Sequence, residues 1–446
     1  MRRPPPIVAI VGRPNVGKST LFNRLLGAPR AIVEDRPGVT RDRLYADADA
    51  FGAEFVLVDT GGFDPEDKDP VFTGIRAQVR IAIDEAAVVL CILDAKSGPM
   101  PADRIAVQML RESGKPTLFV ANKADRAESD PDASPLHELG IPDLQLVSAE
   151  HGRGVGTLLE RIAELLPAAD AAGEPEPDPK RVRIAVVGRP NAGKSSLVNA
   201  LLGEERMLVD ARPGTTRDAV DSDLDRDGRG FVLVDTAGIR RRRSVEAGAE
   251  QLAVFHAIRS LETADVAVLL VDATENVADQ DLRIVRLALD RGAGLVLCLS
   301  KWDLVEGGAK KAKEILEKAG EAIRFATFIP LVPLSSKTRR GLDRVIKTVA
   351  AISDARSSRI PTAQLNRFFE TVLTRNPPPT SGGRNVRLYY LTQASTRPPT
   401  FVVQTSAAEV REHYKRYVER SLREEFGFEG VSLRVFYRSK RRNEKR

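Results

Sequence analysis

GRPNVGKS at residues 12–19 and GRPNAGKS at residues 188–195 decide how this chain is read. Both fit GxxxxGKS, and each follows a short apolar run, IVAIV (7–11) or VRIAVV (182–187). A continuous apolar run is what a strand buried on both faces requires. Behind each loop the apolar residues fall at helical spacing: Leu21, Phe22, Leu25 and Leu26 in the first, Leu197, Val198, Leu201 and Leu202 in the second. A Gly-rich loop between strand and helix is a phosphate cradle. Its backbone N–H groups turn inward around phosphate oxygens, and the helix N-terminus adds partial positive charge. The first cradle comprises Gly12, Arg13, Pro14, Asn15, Val16, Gly17, Lys18 and Ser19. The second comprises Gly188, Arg189, Pro190, Asn191, Ala192, Gly193, Lys194 and Ser195. Lys18 and Lys194 offer a point charge to the β- and γ-phosphates, and Ser19 and Ser195 a hydroxyl to Mg2+.

The repeat extends well beyond the loops. RPGVTRD (36–42) returns as RPGTTRD (212–218), and FVLVDTGG (55–62) as FVLVDTAG (231–238). All three pairs keep one offset, 176 residues (12 to 188, 36 to 212, 55 to 231). NKAD (122–125) returns as SKWD (300–303), and VSAEHGRGV (147–155) is echoed by LSSKTRRGL (334–342). The period is too long for a solenoid unit and fits two duplicated domains. Apolar strands recur at 55–58, 87–93 and 117–121, and again at 231–234, 266–271 and 295–299. Strands alternating with helices predict a mostly parallel α/β sheet with helices on both faces. The expected domains are 1–166, an acidic Pro/Ala linker at 167–181, 182–354, and a third domain at 355–446.

Composition bounds the rest. At 446 residues the chain has room for roughly three domains. With 42% hydrophobic and 29% charged residues, wholesale disorder and disulfide scaffolds are excluded. The two cysteines, Cys91 and Cys298, lie in apolar runs and read as buried, reduced thiols. With no apolar run near the length of a membrane span and no signal peptide, the expected location is the cytoplasm. Net charge is +6, but residues 360–446 carry 17 Lys and Arg against 8 Asp and Glu, so the remainder is slightly acidic. The basic balance belongs to the third domain and predicts a polyanion partner there.

The repeated motifs specify the chemistry. Asp59 of Asp59-Thr60-Gly61-Gly62 and Asp235 of Asp235-Thr236-Ala237-Gly238 end apolar strands, where a carboxylate can reach Mg2+ through water. The N–H of Gly62 or Gly238 can bond a γ-phosphate, and a glycine there can follow hydrolysis at little cost. Asn122, Lys123, Ala124 and Asp125 decide the base. A carboxylate at Asp125 accepts from guanine N1 and N2, and adenine has no such donors. Asn122 can tie loops together, the Lys123 stem can lie over the ring, and Ser148-Ala149 can present an N–H to guanine O6. The ligand is therefore GTP rather than ATP. In the second copy Lys301, Trp302 and Asp303 follow Ser300, which replaces the asparagine, and Ser335-Ser336 replaces Ser-Ala. Asp303 still specifies guanine, with weaker binding expected. Thr40 and Thr216 each lie 22 residues past a P-loop lysine, where a switch segment supplies a second Mg2+ ligand; Thr215 is a rival in the second copy, and an ordinary polar loop is the competing reading. The candidate catalytic set is thus Lys18, Thr40, Asp59 and Gly62, with Lys194, Thr216, Asp235 and Gly238. Many GTPases orient the attacking water with a Gln after DxxG. Phe63 and Ile239 stand there instead, which predicts slow turnover or a substitute for Gln.

Two such units, with GRPNxGKS, RPGxTRD, DTGG and DTAGIRRR, followed by a small basic domain, resemble the bacterial Der (EngA) GTPases over essentially the whole chain. The resemblance implies a role in assembly of the large ribosomal subunit, with its rRNA as partner, and a KH-like fold for the third domain. It also implies a potassium ion at the P-loop, held partly by Asn15 or Asn191; that these asparagines merely hold the loop is the alternative. Arg240–Arg243 either contact RNA, phosphate or another domain, or form a solvated loop. The free protein is expected to be a monomer.

In the third domain, strands are expected at 386–392, 400–404 and 431–437, with a helix carrying Val410, Tyr414, Tyr417 and Leu422. GFEG (427–430) fits the GxxG pattern but lies between helix and strand, so it reads as a turn. The tail RSKRRNEKR (438–446) is suited to phosphate contact with rRNA. Two other readings remain at this point: a nearly inert GTP-gated RNA scaffold, and the GTPase subunit of a tRNA-modifying system. A membrane-remodelling GTPase is disfavoured.

Overall fold

The structure is a computed structural model. It describes residues 5–27, 45–60, 76, 79–80, 82–141, 143–167, 181–203, 221–236, 257–379, 386–406 and 410–439. The chain divides into two compact units, one holding the first repeat and the other the second repeat together with the third domain.

In the first repeat the elements run β1 (Ile7–Val11), α1 (Lys18–Leu26), β2 (Tyr45–Ala50), β3 (Ala53–Asp59), β4 (Val88–Asp94), α2 (Pro101–Ser113), β5 (Thr117–Asn122), β6 (Leu144–Leu146) and α3 (Val155–Leu165). The sheet order is β2-β3-β1-β4-β5-β6. All neighbours are parallel except β2, which runs antiparallel to β3. Every residue of β1 and β4 is buried, as continuous apolar runs require. The acidic stretch YADADA carries no apolar run, and no strand is read there; the structure makes it the edge strand β2, its Ala48 and Ala50 turned inward.

The second repeat has the same plan: β7 (Val182–Gly188), α4 (Lys194–Leu202), β8 (Ser222–Arg226), β9 (Arg229–Val234), β10 (Val266–Asp272), α5 (Asp279–Asp290), β11 (Gly294–Ser300), α6 (Gly308–Ala322), β12 (Leu331–Pro333) and α7 (Leu342–Ser357). Its sheet order, β8-β9-β7-β10-β11-β12, matches the first. After the base-reading loop the repeats diverge. Residues Ala127–Leu139 form tight 3-10 turns, whereas the second repeat builds the regular helix α6. Helix α7 runs past residue 354 to Ser357.

The third domain comprises α8 (Thr362–Arg375), β13 (Leu388–Thr396), β14 (Pro399–Thr405), α9 (Glu412–Phe426) and β15 (Arg434–Ser439). Its sheet is mixed: β13 and β14 are antiparallel, β14 and β15 parallel. This domain shares one continuous apolar core with the second repeat, running from Val182 and Val268 through Ile352 and Ile360 to Phe369, Phe401 and Phe428. Side chains of that size stabilise by about 1.5–3 kcal/mol each when fully buried.

GFEG is a turn, and it docks. Gly430 donates to Phe328 O at 2.7 Å and accepts from the Leu295 N–H at 2.7 Å. Its φ is +68°, and a Cβ there would stand 2.5 Å from Ile352 Cδ1 and 2.9 Å from Leu295 O, so only glycine fits. The Arg423 guanidinium lies 3.5 Å from the centre of the Phe328 ring. The motif is consumed in holding the third domain to the second repeat.

Candidate nucleotide sites

Both P-loops are built alike from the backbone upward. Gly12 has φ +151° and Gly188 +143°, and a Cβ on Gly12 would stand 2.5 Å from Ile92 O. Asn15 (φ 66°) and Asn191 (φ 61°) are left-handed, a conformation asparagine tolerates better than most residues. This accounts for an asparagine at each position on backbone grounds alone. Lys18 Nζ donates to Gly12 O (2.8 Å) and Arg13 O (2.9 Å). Lys194 Nζ donates to Gly188 O (2.8 Å) and Arg189 O (2.5 Å). Each ammonium is thus suspended over the mouth of its loop by two carbonyls. Helices α1 and α4 begin at these lysines, so their first N–H groups face the same space.

The strand-ending aspartates differ. Ser19 Oγ donates to Asp59 Oδ2 at 2.7 Å, and Thr60 Oγ1 donates to Ile10 O at 2.6 Å. Hydroxyl and carboxylate oxygens side by side are a hard donor set suited to Mg2+. In the second repeat the strand stops at Val234, and Asp235 takes φ 55°. Its N–H donates to Asp221 Oδ1 (3.0 Å), and its Oδ2 accepts from Ser260 Oγ (3.3 Å). Thr236 pairs with Ser222 through their hydroxyls at 2.9 Å.

At the base end of the first site, Asn122 Nδ2 donates to Val16 O (2.9 Å) while its Oδ1 accepts from the Ala149 N–H (2.9 Å). One amide thereby joins the P-loop, the NKAD loop and the Ser148-Ala149 loop. Lys123 Nζ bonds Asn15 O (2.8 Å) and Asp94 Oδ2 (2.7 Å). Asp125 accepts from Ser148 Oγ (2.8 Å) and Lys96 Nζ (2.7 Å). The Lys96 and Ser148 hydrogen bonds hold its carboxyl below the ordinary range, keeping it ionised as a guanine reader must be. The Ala124 N–H donates to Val147 O at 3.1 Å, locking the two base loops together. In the second site Ser300 Oγ reaches Ala192 O (2.7 Å), which replaces the first half of the asparagine's work. Lys301 pairs with Asp272 (2.6 Å), Ser335 Oγ bonds Asp303 Oδ1 (2.5 Å), and the backbone N–H of buried Trp302 donates to Leu334 O (3.1 Å). Pro14, Pro190 and Ser336 lie in the described loops of the same sites.

Thr40, Gly61, Gly62, Phe63, Thr215, Thr216, Ala237, Gly238, Ile239 and Arg240–Arg243 lie outside the described residues, as does most of the basic tail. Two carboxylate pairs were not read from the sequence. Asp94 and Asp272 hold the base-loop lysines, and Asp103 and Asp281 hold the P-loop arginines Arg13 (3.2 Å) and Arg189 (3.0 Å). Both pairs keep the same offset as NKAD and SKWD, so extending the repeat alignment one strand further would have marked them. Cys91 and Cys298 are wholly buried, and burial pushes their thiols up, as inert core cysteines require.

Two doubly wound domains, each joining a phosphate cradle to an aspartate at the base-loop end, have the plan of a tandem P-loop GTPase. Residues 7–123 and 183–301 match the family model described as 50S ribosome-binding GTPase. Residues 254–355 match the Elongation factor Tu GTP binding domain, and 359–438 the KH-domain-like C-terminal region of EngA bacterial GTPase enzymes. The chain is 44% identical over 438 residues to GTPase Der of Desulforamulus reducens, covering 98% of this chain and 99% of that one. It is 43% identical over 429 residues to GTPase Der of Caldanaerobacter subterraneus, covering 96% and 97%. The chain belongs to the Der GTPase family, and its third domain is KH-like. No helix among the described residues is long and apolar enough to cross a membrane.

Proposed function

We propose that this GTPase is a conformational switch that binds the large ribosomal subunit in the cytoplasm and acts in its assembly. The observation that carries the reading is the apolar core shared by the second GTPase domain and the basic KH-like domain, which joins that domain to a nucleotide site within one compact unit. The domain limits expected from the sequence, 1–166, 182–354 and 355–446, are part of this proposal.

Lys18 and Lys194 would leave the loop carbonyls for the β- and γ-phosphate oxygens. Asp125 and Asp303 would read guanine. Mg2+ supplies charge neutralisation on the phosphates when bound; Ser19 with Asp59, Ser195 with Asp235, and Thr40 and Thr216 are its proposed holders. Gly62 and Gly238 would sense the γ-phosphate. With Phe63 and Ile239 unable to polarise water, intrinsic turnover is slow, and a potassium ion near Asn15 and Asn191 would offset transition-state charge.

The test is GTP hydrolysis in potassium and in sodium for wild type, Lys18→Ala and Lys194→Ala, with sedimentation of the same proteins on large subunits in a non-hydrolysable GTP analogue. Potassium-stimulated turnover with nucleotide-dependent co-sedimentation is expected. Turnover without subunit binding would sink the ribosomal part, and binding without turnover would leave a GTP-gated scaffold.

A further inference from the structure

Helix α5 is held at both ends, and the two grips belong to different domains. At its N-terminus, Asp281 Oδ2 accepts from the Ala278 N–H (3.0 Å), closing the first turn, and from Arg189 Nε (3.0 Å). The second arm of Arg189 reaches Glu275 Oε2 at 2.9 Å. Asp281 is wholly buried, and its Oδ1 has no hydrogen-bond partner among the described residues, so Arg189 is its close compensating charge. The carbonyl of the same Arg189 holds the P-loop lysine Lys194. One residue therefore touches the phosphate-binding ammonium with its backbone and the helix with its side chain.

At the C-terminus of α5 the Leu287, Ala288 and Leu289 carbonyls accept from the N–H groups of Arg291, Ala293 and Gly292, and the last turn is bonded from the third domain as well. Leu289 O accepts from Ser432 Oγ (3.0 Å), and Asp290 O accepts from the Arg434 guanidinium (3.1 Å). Both donors come from the KH-like domain, and a cation at this end also favours the helix dipole. Between the grips, Ile284, Val285, Leu287 and Ala288 are buried, so the helix, about 18 Å long by its rise per residue, is bedded in the core. The near grip recurs in the first repeat, where Asp103 takes Arg13 and the Met100 N–H. There α2 ends in the left-handed Gly114.

We propose that Arg189 and Asp281 are positioning residues of the second nucleotide site, and that α5 makes this site answer to the KH-like domain's grip on its far end. Movement of the P-loop backbone around phosphates is passed through the ion pair of Arg189 with buried Asp281 to a packed helix, and the far hydrogen bonds resist or permit it. Linkage is reciprocal, so altering the far grip alters nucleotide affinity, and nucleotide alters how the KH-like domain is held. The inference rests on the GTP-site reading above.

The test uses the full chain with the first site silenced by Lys18→Ala, measuring binding of a fluorescent GDP at the second. Asp281→Asn keeps an acceptor for the Ala278 N–H but removes the charge. It should weaken binding about tenfold, the loss expected for a hydrogen bond to a charged group. The double variant Ser432→Ala, Arg434→Met touches neither nucleotide nor P-loop, yet should change affinity about fivefold. Thermal unfolding confirms that each is folded. A folded double variant with affinity within twofold of its parent overturns the coupling. So does an equal change at the first site, read in the Lys194→Ala background, because that would be a general loosening. If Lys194→Ala itself leaves second-site binding intact, the GTP-site reading fails instead.

Discussion

The two P-loops agree to within a few tenths of an ångström in how they hold their lysines, and the two base loops do not agree in how they are tied. Lys18 and Lys194 each hang on two carbonyls of their own loop. Asn122 bridges three loops with one side chain, whereas Ser300 reaches Ala192 O with a single short hydroxyl. The phosphate end is dictated by backbone conformations that few residues adopt, so it is copied closely. The base end is assembled from side chains that reach across loops, so one substitution changes its ties without disturbing the fold. Duplication has left two sites with the same motifs and differently tied base loops.

The harshest way to test that equivalence is to remove both lysines in turn. Lys18→Ala and Lys194→Ala should each abolish hydrolysis at one site, with a loss of about 10²–10³ in turnover, typical of deleting one preorganised electrostatic group. Measuring phosphate release for each single variant gives the separate rates. If either variant keeps wild-type turnover, that site contributes nothing and the equivalence is broken.

The base readers come next. Asp125→Asn and Asp303→Asn replace two acceptors with a donor and an acceptor. Each site should lose guanine binding by about a hundredfold, the size expected when polar groups of reader and base are left unpaired. Xanthine offers an O2 acceptor in place of the amino group, so xanthosine triphosphate should recover binding. Competition assays with both nucleotides check this. Unchanged guanine preference in Asp303→Asn would mean the second site does not read the base through this residue.

The sequence displays the parts that need unusual backbone. At φ > 0 glycine is strongly favoured and asparagine tolerated better than most residues, which fits the recurrence of GRPNxGKS in both repeats. The buried strands are visible because they are apolar throughout. Strand β8 (SDLDR) is not, because an edge strand facing water can be acidic and needs only Leu224 buried. Helix α8 offered a signal that was not read: Leu365, Phe369 and Val372 fall at helical spacing, and all three are buried. The Arg13–Asp103 bond joins residues 90 apart and has no local signature, so only the internal repeat could have exposed it.

The asparagine difference makes a smaller and more selective prediction. Gly17 is packed against the Asn122 amide, while a Cβ on Gly193 would find Ser300 no closer than 4.0 Å, so the second site has room for a longer side chain. Ser300→Asn should fit, restore a bridge toward the Ser335-Ser336 loop and tighten guanine nucleotide binding about fivefold, the worth of one net hydrogen bond. Asn122→Ser should weaken the first site by a similar factor. Titration of the isolated effects, each in the background with the other site silenced, decides it. A second site that already binds tighter than the first would defeat the view that serine loosens it.

The finest distinction concerns acid. Burial alone would raise the carboxyls of Asp94 and Asp272, but hydrogen bonds from Lys123 or Lys301 and from nearby backbone N–H groups outweigh it, and both are held below the ordinary carboxylate range. A depressed folded value means each group adds stability above its unfolded value, about 3.9, and that this is lost as pH falls through the folded value. Asp94→Asn and Asp272→Asn should therefore be less stable than wild type at neutral pH, with the gap closing on acidification. The repeats should separate here too. Thr274 gives Asp272 both its N–H (2.9 Å) and its hydroxyl (2.7 Å), whereas Lys96 gives Asp94 its N–H (3.0 Å) and sends its ammonium to Asp125. Thr274→Val should raise the pH at which the second repeat begins to unfold, whereas Lys96→Met leaves the backbone N–H bond to Asp94 in place and should instead raise the Asp125 carboxyl and weaken guanine binding. Urea unfolding at a series of pH values reads the first effect. A gap that widens toward acid would mean the carboxylates are not the ionised partners their geometry requires.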